Sequence, residues 1–240
     1  MNDRRLFLSA LAVLGFSACS QQAPVSLAGD PAALAKMGEI YFKGYGCVKC
    51  HALGGEGGTY APDLTMVGFR KSSQWLDRWL KNPHAWRDKT VMPNFHLPDN
   101  VRHAVVAYLS EQKGQAWGKN RPWNAPLFMK DPIARGHEIF DMAGCDTCHG
   151  KGGQGGYPNN NVVGGLIPSL TMVAEGYTRN ELLRKIEFGV VSTPADPSKP
   201  APLLRMPPWG QVLDKSEIEA VASYVLSLDK NAAKQSDSNF

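Results

Sequence analysis

One segment of the 240-residue chain occurs twice, and this repeat constrains the architecture more than any other feature. Residues 38–51 align with residues 136–149 at an offset of 98 residues. Three further matches follow in the same order, with an offset that grows through insertions rich in Gly, Pro and Asn: residues 62–67 with 168–173, Met92-Pro93 with Met206-Pro207, and Tyr108 with Tyr224. This preserved order indicates a tandem duplication, so we expect two copies of one small domain.

The repeat and the composition around it divide the chain into segments. Between the copies, Gly118, Pro122 and Pro126 mark a linker. The length of the chain alone allows one large domain or two of roughly 100–150 residues each, and the repeat favours two. The expected segments are a leader (1–18), a polar tether (19–29), the first domain (30–114), the linker (115–130), the second domain (131–228) and a polar tail (229–240).

The two copies are predicted to be helical. Residues 72–81 carry Trp75, Leu76 and Leu80 at helical spacing, with Ser72 as the expected N-cap. Ser216 is the expected cap of the last helix. No stretch alternates polar and apolar residues as a half-buried strand would, so the fold class is all-α. The predicted helices are residues 31–45, 72–81, 99–112, 132–143, 178–188 and 216–228.

Each copy contains the pattern Cys-x-x-Cys-His directly after a predicted helix. The motifs are Cys47, Cys50 and His51 in the first copy and Cys145, Cys148 and His149 in the second. This pattern is the attachment signal of c-type haem. On a helical turn, two cysteines three positions apart reach the vinyl groups along one porphyrin edge, and the adjoining histidine points at the iron. We therefore expect two covalently bound haem c groups, with His51 and His149 as iron ligands.

Three other uses of the cysteines fit the pattern less well. A disulfide framework does not need a histidine at the same place in both copies. A zinc ribbon separates its two cysteine pairs by roughly 15–20 residues, whereas 94 residues lie between Cys50 and Cys145. A thioredoxin-like redox pair needs a βαβ unit, which the predicted elements lack. Haem attachment is therefore the favoured interpretation.

With these motifs, each copy resembles a class I c-type cytochrome, and the whole resembles the tandem diheme cytochromes of bacterial periplasms. The resemblance covers residues 30–228 and implies two all-α domains, each with a few helices around a covalently attached haem. It implies that Met92 and Met206, each in a Met-Pro pair, are the sixth iron ligands. It also implies that the carbonyls of Pro62 and Pro168 accept the second ring N–H of the ligating histidines.

Other side chains are rival ligands or packing residues. His96 lies one helical turn after Met92 and is the main rival ligand. Met66 and Met172 follow the repeated Pro-x-Leu segments, and we expect both in the core. Trp209 is expected to line the haem pocket or to pack in the interior. We expect packing or surface roles for the remaining candidates, which are Met37, Met142, His84, His103, His137, Tyr108 and Tyr224.

A His/Met ligand pair predicts an electron carrier rather than an enzyme. Such a pair fills both axial positions and favours the reduced iron. We therefore expect transfer of single electrons between a redox-protein donor and acceptor, without a small-molecule substrate. The alternatives are a haem enzyme of the diheme peroxidase or thiosulfate-oxidising type, which needs a vacant or labile position, and an electron-transfer subunit of a dehydrogenase or oxidase complex.

The leader and the fifth cysteine predict the compartment. Residues 1–18 have a basic start followed by a short apolar run, which is typical of a secretory signal peptide. Residues 14–19 resemble a bacterial lipobox that ends at Cys19, which would then carry a lipid; the alternative is an ordinary signal peptide with an incidental Cys19. We expect an exported, periplasmic protein that is held at a bacterial membrane by this lipid.

The charge of the chain is mild but unevenly distributed. The formal net charge is +4, which does not call for nucleic acid as a partner. Residues 30–120 contain 12 Lys and Arg against 8 Asp and Glu, whereas residues 121–240 contain 12 against 13. The first domain is thus the more cationic one, which would suit docking to an acidic partner.

Overall fold

The computed structural model describes residues 30–229. The predicted signal peptide, the tether, Cys19 and residues 230–240 lie outside the described residues. In the first half, the helices are α1 (Pro31–Gly44), α2 (Val67–Arg70), α3 (Ser73–Lys81), α4 (Pro83–Trp86) and α5 (Asp99–Ser110). In the second half, they are α6 (Pro132–Met142), α7 (Asp146–His149), α8 (Val173–Gly176), α9 (Arg179–Phe188) and α10 (Lys215–Ser227).

The fold is all-α, as predicted, apart from one short hairpin of two-residue strands in the described range. Strands β1 (Ala52–Leu53) and β2 (Glu56–Gly57) form a short antiparallel hairpin directly after the first Cys-x-x-Cys-His motif. None of the described helices combines the length and the apolar character that crossing a bilayer requires.

Several helices begin where a side chain satisfies a free amide group, as α3 and α10 show. The Ser72 hydroxyl accepts from the amide of Trp75, as the sequence predicted. Before α10, however, the cap is Asp214 and not Ser216, because Asp214 and Glu217 form a reciprocal capping box. The prediction of Ser216 was therefore wrong by two residues.

The repeated glycines allow the main helices of each half to cross closely. Helix α1 packs against α5, and α6 packs against α10 in the same way. A Cβ atom on Gly38 would lie 1.9 Å from the carbonyl oxygen of Ala104, and one on Gly136 would lie 2.0 Å from that of Ala220. The matching glycines of the two copies therefore have the same role: a side chain at either position would push α1 away from α5 or α6 away from α10.

Gly136→Ala should lower the free energy of unfolding by at least about 2 kcal/mol, because the new methyl group overlaps backbone atoms that cannot move independently. Gly38→Ala should have a similar effect. Gly176→Ala is the matched control, since it also lies in a helix but a Cβ atom there would meet open space. Denaturant unfolding of the three variants tests this, and an equal effect at Gly136 and Gly176 would contradict the close crossing.

The hydrophobic cores of the two halves share residues. Met66 and Phe69 of the first half pack into the core of the second half, where the rings of Phe69 and Trp209 lie 5.3 Å apart. In return, Leu204 and Tyr157 of the second half pack against the core of the first. The two halves are therefore packed against each other.

The linker is a packed part of the structure. Trp117 and Trp123 are buried and meet edge to face, with ring centroids 5.1 Å apart. Glu217 of α10 is 1% exposed and accepts hydrogen bonds from Arg121 and from the indole of Trp123. These contacts hold the linker to the second half through a buried, charge-assisted cluster.

Candidate functional site

The second Cys-x-x-Cys-His motif opens onto a large cavity. Helix α6 ends just before it, and helix α7 carries the rest of the motif. The cavity has a volume of about 550 Å³ and a mostly apolar lining. Its lining includes the predicted site residues Cys145, Cys148, His149, Pro168 and Met206. The size lies within the roughly 300–1,000 Å³ that ligand and cofactor pockets occupy.

Backbone pairing fixes the position of Met206 in this cavity. Met206 and Val190 form an isolated antiparallel bridge, with both N–H···O distances at 3.0 Å. The bridge anchors the Met-Pro loop to the segment that follows α9. Trp209, three residues later, is buried and lines the same cavity while it packs on Phe69. Both roles considered for Trp209 are thus present together.

The environment of His149 keeps its ring neutral and available as a ligand. Burial lowers the pKa of His149 to about 4, and the nearby Lys71 adds to this, while the Pro168 carbonyl acts in the opposite direction. Nδ1 is buried and forms no hydrogen bond within the described residues, so Pro168 does not reach the geometry that the resemblance implied. A neutral imidazole is the form that binds a metal.

The first motif shows the expected support of its histidine. Nδ1 of His51 donates to the carbonyl of Pro62 across 2.8 Å. Because this bond places the ring proton on Nδ1, the lone pair of Nε2 is left free, as a metal ligand requires. Burial also lowers the pKa of His51, with the Pro62 carbonyl opposing. Cys47 is half-buried and Cys50 is exposed.

Met92 and His96, the two rival ligands of the first site, differ in burial. Met92 is half-buried and packs against the same apolar cluster as Cys47. Its Sδ atom accepts a hydrogen bond from the Trp79 indole at 2.9 Å. His96 is exposed on a loop and has a positive φ of 47°. The contact with Trp79 was not predicted from the sequence.

The donor groups fit covalent haem better than the competing uses of cysteine. The four cysteines of the described range are free of disulfides. Burial raises the pKa of the Cys145 thiol to about 12, which does not suit a thiolate redox pair. In residues 30–229, no group of three or more His, Cys, Asp and Glu side chains has the arrangement that a zinc site needs.

The other candidates have mixed outcomes. Met66 is 3% exposed, as expected for a core residue. Met172 is 59% exposed and lines the cavity, so its assignment to the core was wrong. The reason is that the segment of Met66 is covered by the other half, whereas the equivalent segment of Met172 has no such cover. The surface positions of three histidines agree with the sequence, namely His84, His103 and His137.

Two residues beside the second motif were missed by the sequence analysis. Arg70 and Lys71, at the end of α2 in the first half, are buried against the attachment turn of the second half. At an offset of 106 residues, their counterparts are Gly176 and Tyr177. This departure from the repeat was the only signal in the sequence, and it did not indicate where the two cations would lie.

Asp146→Asn should raise the free energy of unfolding by about 1–2 kcal/mol at pH 7.5, after allowance for partial exposure. Burial raises the pKa of Asp146 to about 6, and Asp141 adds to this. Because the folded chain holds this proton more tightly than the unfolded chain, stability falls as the pH rises from about 4 to about 6. The stabilisation by Asp146→Asn should therefore vanish near pH 4. Unfolding in denaturant at pH 4 and at pH 7.5 measures this difference.

The control for this prediction is the exposed Asp88, whose replacement by Asn should change stability little at either pH. An equal effect of Asp146→Asn at pH 4 and pH 7.5 would show that the charge of Asp146 is not the cause.

Comparison with known proteins places both halves in one family. The family model described as cytochrome c matches residues 35–113 and again residues 133–229. The chain is 29% identical over 89 residues to cytochrome c oxidase subunit 2 of Alkalihalophilus pseudofirmus, a stretch that covers 33% of this chain and only about a quarter (26%) of that protein. A chain of the Kuenenia stuttgartiensis reducing HAO-like protein complex aligns with 81% of this chain and 96% of its own length, at 18% identity and a TM-score of 0.29. The family match covers most of the chain and includes both motifs, so the chain belongs to the cytochrome c family, in two tandem copies.

Proposed function

We propose that the chain is a diheme c-type cytochrome that transfers single electrons between redox-protein partners through two His/Met-ligated haems. The observation that carries this proposal is the second cavity, where both motif cysteines, His149 and Met206 line one space of about 550 Å³. The first copy repeats the motif and adds the His51–Pro62 hydrogen bond.

The residues of each copy divide the work of holding the cofactor. Cys47 and Cys50, or Cys145 and Cys148, would form the thioether bonds. His51 and His149 would supply one axial ligand, and Met92 and Met206 the other. Once bound, the haem iron supplies a one-electron couple between Fe(III) and Fe(II).

The apolar lining of the cavity supports electron transfer rather than substrate chemistry. The thioether of Met206 would complete the coordination from a loop held by the Val190 bridge. Buried Trp209 and the surrounding apolar side chains offer few polar groups that could bind a polar substrate. A filled coordination sphere that keeps the same ligands changes little when one electron enters or leaves, which favours fast transfer.

Haem stoichiometry and spectra of the purified chain test the proposal. An alkaline pyridine assay should give two covalent haems per chain, and oxidised samples should show low-spin haem with a thioether–iron charge-transfer band. One haem per chain would contradict the diheme proposal. A high-spin site that binds CO or cyanide readily would contradict the two His/Met pairs and favour a haem enzyme.

We also propose that the protein is exported to the periplasm and held at the membrane through a lipid on Cys19. This proposal rests on the sequence of residues 1–19, which lie outside the described residues. Mass spectrometry of the N-terminal peptide from the native host tests it. A mature chain that begins with an acylated Cys19 is expected, and an intact residue 1 would contradict export.

A second candidate is an electron-transfer subunit of an oxidase complex. It is favoured by the 89-residue match to cytochrome c oxidase subunit 2. Purification from gently solubilised membranes separates the two candidates, since a subunit would elute with larger partner chains and a free carrier would elute alone.

A further inference from the structure

Two cations of the first half lie buried against the second attachment motif. Nη1 of Arg70 donates to the Gly144 carbonyl at 3.1 Å and to the Thr147 hydroxyl at 2.9 Å. Nζ of Lys71 lies 2.9 Å from Sγ of Cys148. All three partner groups belong to the turn that carries the second motif, so two positive groups of the first half lie at the edge of the second site.

Neither cation is neutralised by a close carboxylate. Arg70 is 7% exposed and Lys71 is 6% exposed. Within residues 30–229, no carboxylate oxygen lies within 4 Å of either side chain. Buried Arg and Lys are otherwise rare without an anionic partner. The ammonium group of Lys71 instead lies over the ring of Trp75, 4.5 Å from its centroid.

The packing around Arg70 shows that the contact is specific. A Cβ atom on Gly144 would lie 1.9 Å from Nη1 of Arg70, so a side chain there would displace the guanidinium group from this position. Nη2 also donates to the Asp63 carbonyl at 2.9 Å. The fork of Arg70 therefore joins the loop of the first half to the attachment turn of the second.

The charge arrangement is not repeated at the first site. The counterparts of Arg70 and Lys71 are Gly176 and Tyr177, which are exposed and uncharged. The lysine within the first motif, Lys49, is exposed, so water screens its charge. Two carboxylates act against the cations at longer range, Asp63 and Asp146.

We propose that Arg70 and Lys71 raise the reduction potential of the second haem site selectively, and so make it the electron-accepting site of the pair. This inference rests on the proposed diheme function. Reduction adds one negative charge to the site, and a fixed positive charge nearby in a low-dielectric interface stabilises the reduced state. In the favoured transfer, one electron leaves the first site, which goes from Fe(II) to Fe(III), and enters the second, which goes from Fe(III) to Fe(II).

A potentiometric titration of the intact holoprotein tests the proposal. Lys71→Met keeps the length of the side chain but removes its charge. We expect it to lower the reduction equilibrium constant of the second site by about tenfold, which corresponds to about 59 mV for a one-electron couple. The reduction equilibrium constant of the first site should stay within about twofold of its wild-type value. Arg70→Met should act in the same direction. Met206→Ala shows which of the two redox transitions (waves) in the titration belongs to the second site, because it should shift the midpoint of that transition alone.

Two controls separate charge from packing. Lys71→Arg keeps the charge and should keep the potential. Lys151→Met removes an exposed lysine two residues after His149 and should have little effect, because its charge is solvated. The inference is overturned if the chain carries two haems but Lys71→Met and Arg70→Met leave the reduction equilibrium constant of the second site within twofold of wild type. The inference is also overturned if Lys71→Met shifts the potentials of both sites equally, or if Lys71→Arg shifts the second-site potential as much as Lys71→Met does. Fewer than two haems in the wild-type chain would instead overturn the diheme function.

Discussion

A chain in which Cys145 and Cys148 are both replaced by Ser is expected to carry one covalent haem instead of two. Serine forms no thioether, so the second site loses its attachment while the first motif is untouched. The second half should also lose stability, because a cavity of about 550 Å³ is left without the group that fills it. The mass of the denatured chain and the pyridine assay measure the change.

The matched variant replaces Cys47 and Cys50 by Ser. It should also leave one haem per chain, now at the second site, so the two single-haem proteins should differ in potential. If either double variant keeps two covalent haems, the motif that it lacks is not an attachment site. Loss of both haems from either variant would contradict two sites that bind separately.

Much of the fold was predictable because local patterns in this chain agree with the packing. The six main helices follow apolar periodicity and cap residues such as Ser72, and the structure places each within a few residues of its prediction. The repeat supplied the same pattern twice, since Gly38 and Gly136 occupy equivalent positions in the two copies. Both glycines lie at the crossing of the first and last helices of their half.

The missed local details are cases where two residues of similar chemistry compete. Ser216 and Asp214 are both good N-caps and lie two positions apart. Glu217 decides between them, because it completes a capping box with Asp214 and also binds Arg121 of the linker. The second of these contacts is non-local, so the sequence pattern around α10 gave no sign of it.

The contacts between the halves could not be predicted from the repeat. Met66 and Met172 occupy equivalent positions, yet one is buried by the other half and the other is exposed. No sequence pattern around Arg70 and Lys71 predicted their burial. Their burial depends on how the two halves dock, which is set by contacts between residues far apart in the sequence.

Met206→Ala is expected to lower the reduction potential of the second site and to open its iron to external ligands. Axial ligands and their surroundings set haem potentials over a range of about 0.8 V, and loss of a thioether that favours Fe(II) should cost on the order of 0.1 V. Alanine cannot reach the iron from the bridged loop, so CO should bind the reduced second site. Redox titration and CO difference spectra measure both effects.

Met172→Ala is the control that makes this result specific. Met172 lines the same cavity and carries the same thioether, but it lies on the exposed segment after Pro168 rather than on the Met-Pro loop. It should leave the potential nearly unchanged and the iron closed to CO. If Met172→Ala opens the site and Met206→Ala does not, the sixth ligand is Met172. If the wild-type chain and both variants all bind CO at the second site, neither of these methionines closes it, and the haem-enzyme alternative is then the better account of this half.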